Sequence, residues 1–89
     1  MDRKNFEKEA VKFGIYRVPR IDKEIVGKNA FYYKEEKTAD LYGLYKSKEK
    51  KYVVFYKASE RAVFTVLGEY DNENDAWDKL CEDIKKVEL

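Results

Sequence analysis

The chain has 89 residues, of which 42% are charged and 44% hydrophobic, with 16% aromatic, and its net charge is only +1. That length bounds the answer to one small domain with a single core, and the aromatic content excludes a disordered chain. One cysteine and no histidine exclude an internal disulfide framework, every Ser-His or Cys-His nucleophile, and the usual zinc ligand sets, so neither a metal nor another cofactor is expected.

The charge is unevenly placed. Residues 1–34 carry +4, residues 35–61 carry +2 and residues 62–89 carry −5. An acidic C-terminal element on a basic remainder selects which partners dock and where, not the fold. No apolar run approaches the ~20 residues that cross a bilayer, so a membrane partner is not expected. The opening "MDRKNFEKEA" lacks an apolar signal core. A cytosolic compartment is the expectation.

In chain order, Phe6, Ala10 and Phe13 recur at helical spacing with Val11 beside them, and Gly14 supplies a stop, which predicts a helix over Asp2–Phe13. Residues 15–27 carry Pro19 and read as an irregular connection that Ile15, Val18, Ile21, Ile25 and Val26 pin to the core, ending at Gly27. Four strands follow at 29–34, 40–46, 51–57 and 62–70, rich in β-branched and aromatic residues, with Gly43 marking a bulge or a close backbone approach. Their short connections favour an antiparallel meander.

Asp71 is the expected N-cap of a final helix whose first turn is acidic, with Ala76, Trp77, Leu80, Cys81, Ile84 and Val87 on one apolar stripe. The order is helix, irregular segment, four strands, helix. The predicted class is therefore α+β, one domain over 1–89, with a central antiparallel sheet of about four strands between the N-terminal and C-terminal helices.

Two groups of residues stand out as contact candidates. The first is tyrosine: alternation places Tyr52, Val54 and Tyr56 on one face of their strand and Val53 and Phe55 on the other, and it opposes Tyr42 to Tyr45. Tyrosine is enriched where proteins grip one another, although cross-strand packing uses the same residues. The second is acidic: Glu69, Asp71, Glu73 and Asp75 run into the last helix, and complement a basic partner unless they only cap and solvate it. Between them the turn "ASER" offers Arg61, whose planar fork pairs with a carboxylate.

Two other chemistries have partial signatures. "KYVVFYK" has the aromatic, basic-flanked look of an RNA-stacking strand, but it lacks the expected glycine, and near-zero net charge attracts phosphates weakly. Paired carboxylates can perform acid–base hydrolysis, yet nothing in the pattern buries a particular pair. Trp77 and Cys81, one turn apart on the apolar stripe, read as core residues.

The segment "YKSKEKKYVVFYKASERAVFTVLGEYDNENDAWDKL" resembles small bacterial immunity proteins of polymorphic-toxin and contact-dependent growth inhibition systems. The matching residues are Tyr52, Val54 and Tyr56 in one strand, Glu60 and Arg61 in the turn, and Asp71, Glu73, Asp75 and Ala76 at the helix start. The resemblance implies a small, cytosolic, non-enzymatic protein that binds and neutralises one cognate toxin C-terminal domain, a nuclease among the candidates, by a stoichiometric interface. The contact regions so expected are Tyr42, Tyr45, Tyr52, Tyr56, Arg61, Glu69, Asp71, Glu73 and Asp75. The alternative is a nucleic-acid-binding or protein-interaction module that uses the tyrosine-rich sheet face, and a homodimer stays open beside both.

Overall fold

Residues 3–12 form the first helix because Asp2 caps it: the Asp2 backbone is extended, its Oδ1 accepts from the Asn5 amide at 2.9 Å, and its carbonyl accepts from Phe6. The computed structural model describes residues 1–19, 28–59 and 61–86. Helix α1 (Arg3–Lys12) ends as expected, with Gly14 at φ +72° turning the chain into the sheet.

Among the described residues five strands follow: β1 (Ile15–Val18), β2 (Lys28–Glu35), β3 (Leu41–Lys46), β4 (Tyr52–Lys57) and β5 (Thr65–Tyr70), then helix α2 (Glu73–Lys86). They pair antiparallel in chain order, as the short connections implied. The class is α+β, and the sheet has one strand more than expected. Ile15 and Val18, read as irregular, are the ends of β1, which pairs with residues 32–35 of β2. Pro19 bounds that strand rather than interrupting it. The pinning residues Ile21, Ile25 and Val26, the stop at Gly27, Glu60 of the turn and Val87 of the helical stripe lie outside the described residues.

Two hairpin turns are tight. Glu35 and Asp40 close the β2–β3 turn, with Ala39 at φ +65°; Ser47 and Lys51 close the β3–β4 turn, with Lys50 at φ +63°. A left-handed residue at the end of such a turn is what lets the strands keep their twist, and it is the place where glycine fits best.

Both helices lie on one face of the sheet. There Phe6 and Ala10 of α1 and Ala76, Trp77, Leu80, Cys81 and Ile84 of α2 pack on Ile15, Tyr33, Tyr42, Leu44 and Val54. Trp77 has no exposed surface and meets Phe6, Phe31 and Tyr33 at ring separations of 5.1, 5.6 and 6.1 Å. Helix α2 is thus held by one aromatic cluster that α1 and β2 complete. Cys81 is buried with it, and burial pushes its thiol up, the behaviour of a small hydrophobe rather than a nucleophile.

The opposite face has a smaller cluster of Tyr32 and Phe55, flanked by Val18, Ala30, Tyr45 and Phe64. Strand β5 starts three residues later than expected: Phe64 leaves the ladder and sets its ring 5.7 Å from Phe55. A register shift opposite Val54 and Phe55 makes Leu67 the extra residue of β5, and Leu67 packs toward the helices. Among the described residues no helix is long and apolar enough to cross a membrane.

Candidate protein-binding surface

The four tyrosines do not form one open face. Tyr42 sits in the central strand on the side covered by the helices, with 2% of its surface exposed and its ring 5.4 Å from that of Tyr56. Burial, then the Asp40 carboxylate, drives its phenol well above the ordinary range, and among the described residues its hydroxyl has no hydrogen-bond partner. It is a core residue, and no partner reaches it in this fold. Tyr45, three residues on, faces the other side of the sheet and packs half-buried at 5.9 Å from Phe55. An odd separation along a strand forces that split.

Tyr52 and Tyr56 share the helix-covered side and are half-buried at its margins. Lys46 Nζ stands 5.5 Å over the Tyr52 ring, and the Tyr56 hydroxyl donates to Asp40 Oδ1 at 3.0 Å. Burial raises the Tyr56 pKa, and that hydrogen bond raises it further. An aromatic platform shared by Tyr42, Tyr45, Tyr52 and Tyr56 is therefore corrected: alternation divides them, and α2 covers the side that holds three of the four.

The acidic residues are all exposed, on more than one side of the corner between β5 and α2. Glu69 is exposed on β5, on the side turned from the helices and opposite Val53. Asp71 follows in the turn, its side chain 83% exposed and paired with Lys51, whose pKa the hydrogen bond and charge of Asp71 raise. Glu73 and Asp75 occupy the first turn of α2 and are exposed, Glu73 accepting from Trp77 Nε1 at 3.3 Å. The cap itself falls one residue later than expected. Asn72, not Asp71, accepts from the Asn74 amide (2.8 Å, through Oδ1) and from the Ala76 amide (3.3 Å, through its carbonyl). Asp71 is released from helix capping and turned outward.

Arg61 is exposed in the β4–β5 connection, followed by Val63, which is 88% exposed. Val66 on β5 is 48% exposed. Sequence patterning missed both valines because it assigned them to an uninterrupted strand with one inward face. What results is a border one strand wide: β5, its lead-in and the start of α2, with two exposed aliphatic side chains and four exposed carboxylates in 13 residues, 63–75.

The two sheet margins differ in guarding. β1 has four residues, carries exposed Arg17 and is followed by Pro19, all features that discourage added strands. β5 has six residues, with neither lysine nor proline among them. Among the described residues no group of three or more Cys, Asp or Glu side chains is arranged to hold a metal ion. Compared with known proteins, the chain matches no family model, no curated protein and no solved structure.

Proposed function

We propose that this chain is a stoichiometric inhibitor of the immunity-protein kind, which binds one cognate bacterial toxin domain with a basic surface, such as a nuclease, and does no chemistry of its own. The observation that carries the proposal is the exposed row of Glu69, Asp71, Glu73 and Asp75 along β5 and the start of α2. Exposed carboxylates around a strand-to-helix corner steer a basic partner into contact and compete with its anionic substrate. Val63 and Val66 add apolar area beside that row, and Arg61 adds a planar donor at its far end. The resemblance to immunity proteins falls on the same stretch. A bacterial cytoplasmic setting belongs to this proposal, because an inhibitor of such a toxin acts where the toxin does.

The test is capture from the source cell with the wild-type chain and with a variant carrying Glu69→Lys, Asp71→Lys, Glu73→Lys and Asp75→Lys. A single protein held by the wild type and released by the variant, whose nuclease or other toxic activity falls to zero at one equivalent of inhibitor, is the expected result. Equal recovery on both baits, or activity that survives a molar excess of the chain, removes the proposal.

A further inference from the structure

A cleft of about 450 Å³ opens between Asp2, Arg3, Lys4, Phe31 and Glu73, where the starts of both helices come over β2. That volume lies in the range of small-molecule sites, roughly 300–1,000 Å³. Phe31 forms its floor on the helix side of the sheet and carries two guanidinium groups. Arg3 of α1 and Arg17 of β1 place Cζ 4.9 and 5.0 Å from the ring centroid, so two cations from different elements converge on one aromatic ring.

Contact with the ring face uses none of the guanidinium N–H donors on an acceptor. Among the described residues neither arginine donates a hydrogen bond. The nearby acceptor is Glu7 Oε2, 4.0 Å from Arg3 Nε, and it already accepts from the Tyr33 hydroxyl at 2.7 Å. Lys4 and Arg17 are exposed and make no ion pair among the described residues. The two carboxylates of the cleft, by contrast, are engaged: Asp2 Oδ1 with the Asn5 amide at 2.9 Å, and Glu73 Oε2 with Trp77 Nε1 at 3.3 Å. They keep spare lone pairs for neutral donors such as hydroxyls.

We infer that this cleft binds a phosphorylated sugar, free or as part of a nucleotide, with the phosphate on Arg3, Arg17 and Lys4 and the sugar hydroxyls toward Asp2 and Glu73. Two guanidinium forks held over one ring suit the tetrahedral oxygens of a phosphate better than the planar pair of a carboxylate. The carboxylates opposite favour a ligand that also brings hydroxyl donors. The site is separate from the proposed inhibitory surface, touching it only at Glu73.

The experiment is an amide-resolved NMR titration of the full chain with ribose 5-phosphate, adenosine monophosphate, inorganic phosphate and ribose as separate arms. The expected result is saturable movement of the Asp2, Arg3, Lys4, Arg17, Phe31 and Glu73 amides by ribose 5-phosphate, with Kd about 1 mM or tighter. Inorganic phosphate binds more weakly, and ribose does not register. Adenosine monophosphate binding more tightly than ribose 5-phosphate assigns the nucleotide, and equal binding assigns the sugar phosphate. Arg17→Ala weakens the interaction about tenfold; Arg17→Lys also weakens it, because charge without the planar fork is insufficient. Both leave the amide spectrum otherwise intact, since Arg17 is exposed. Movement that fails to saturate, that spreads equally over the Lys48–Lys51 turn, that inorganic phosphate reproduces in full, or that survives Arg17→Ala overturns the inference.

Discussion

The ring of Phe55 lies across Gly43 on the neighbouring strand, and the two are register partners in β3 and β4. A methyl group at Gly43 would stand 2.5 Å from Phe55 Cε1 and 2.8 Å from the Phe31 carbonyl oxygen, nearer than carbon contacts allow. The glycine is there to let an aromatic ring fill the pleat. Gly43→Ala is expected to cost about 1–3 kcal/mol by overpacking. Urea unfolding measures it, and an unchanged midpoint would mean that Phe55 has another place to go.

Ala39 and Lys50 hold positive φ at the two turns with side chains that disfavour it. Ala39→Gly and Lys50→Gly should each stabilise by about 0.5–1 kcal/mol, the relief of left-handed strain exceeding the extra freedom of the unfolded chain. Thermal unfolding should then rise by a few degrees for each, and the two gains should add, since the turns share no partner.

Tyr42 and Tyr33 are both buried, yet their hydroxyls differ. Tyr33 donates to Glu7, whereas Tyr42 has no partner among the described residues. Tyr33→Phe should cost about 1 kcal/mol, while Tyr42→Phe should be neutral or stabilising. Burial raises both phenols above their ordinary value of 10.0, so folding holds their protons more tightly than the unfolded chain does. Their contribution is complete below pH 10 and is lost as pH climbs from there toward the folded-state values. Stability should fall steeply above pH 10, and less steeply in each phenylalanine variant; parallel curves for wild type and variants would contradict this.

Asp71 pairs with Lys51 at an exposed site, where such contacts add little to stability. Asp71→Ala should leave the melting temperature unchanged while slowing association with a basic partner, most clearly at low salt. Stopped-flow association at two ionic strengths tests it; a drop in melting temperature with an unchanged association rate would assign Asp71 to the fold.

Both helices, the antiparallel order and four of the five strands were legible in the sequence, because periodicity and turn residues carry them. Strand β1 was not, since four residues ahead of a proline resemble a loop until β2 supplies their partners. The acidic row was visible as composition, but Asp71 is free of the helix only because Asn72 takes the cap that Asp71 was expected to fill. Tyr42 misled for a different reason: a residue type common at interfaces is equally at home beneath a helix, and only the position of α2 decides. The Arg3–Phe31–Arg17 contact joins three elements distant in sequence, and no local pattern announces it.

Each strand of the sheet pairs with the one made just before it, so the ladder can be zipped in the order of synthesis, with small loops and little closure entropy. The cover does not follow that order: Trp77, which meets Phe6, Phe31 and Tyr33, comes after every strand. While the ribosome still shields α2, the nascent sheet must wait with Tyr33, Leu44 and Val54 uncovered. The risk of misassembly is concentrated in that interval, between the completion of β5 and the emergence of α2.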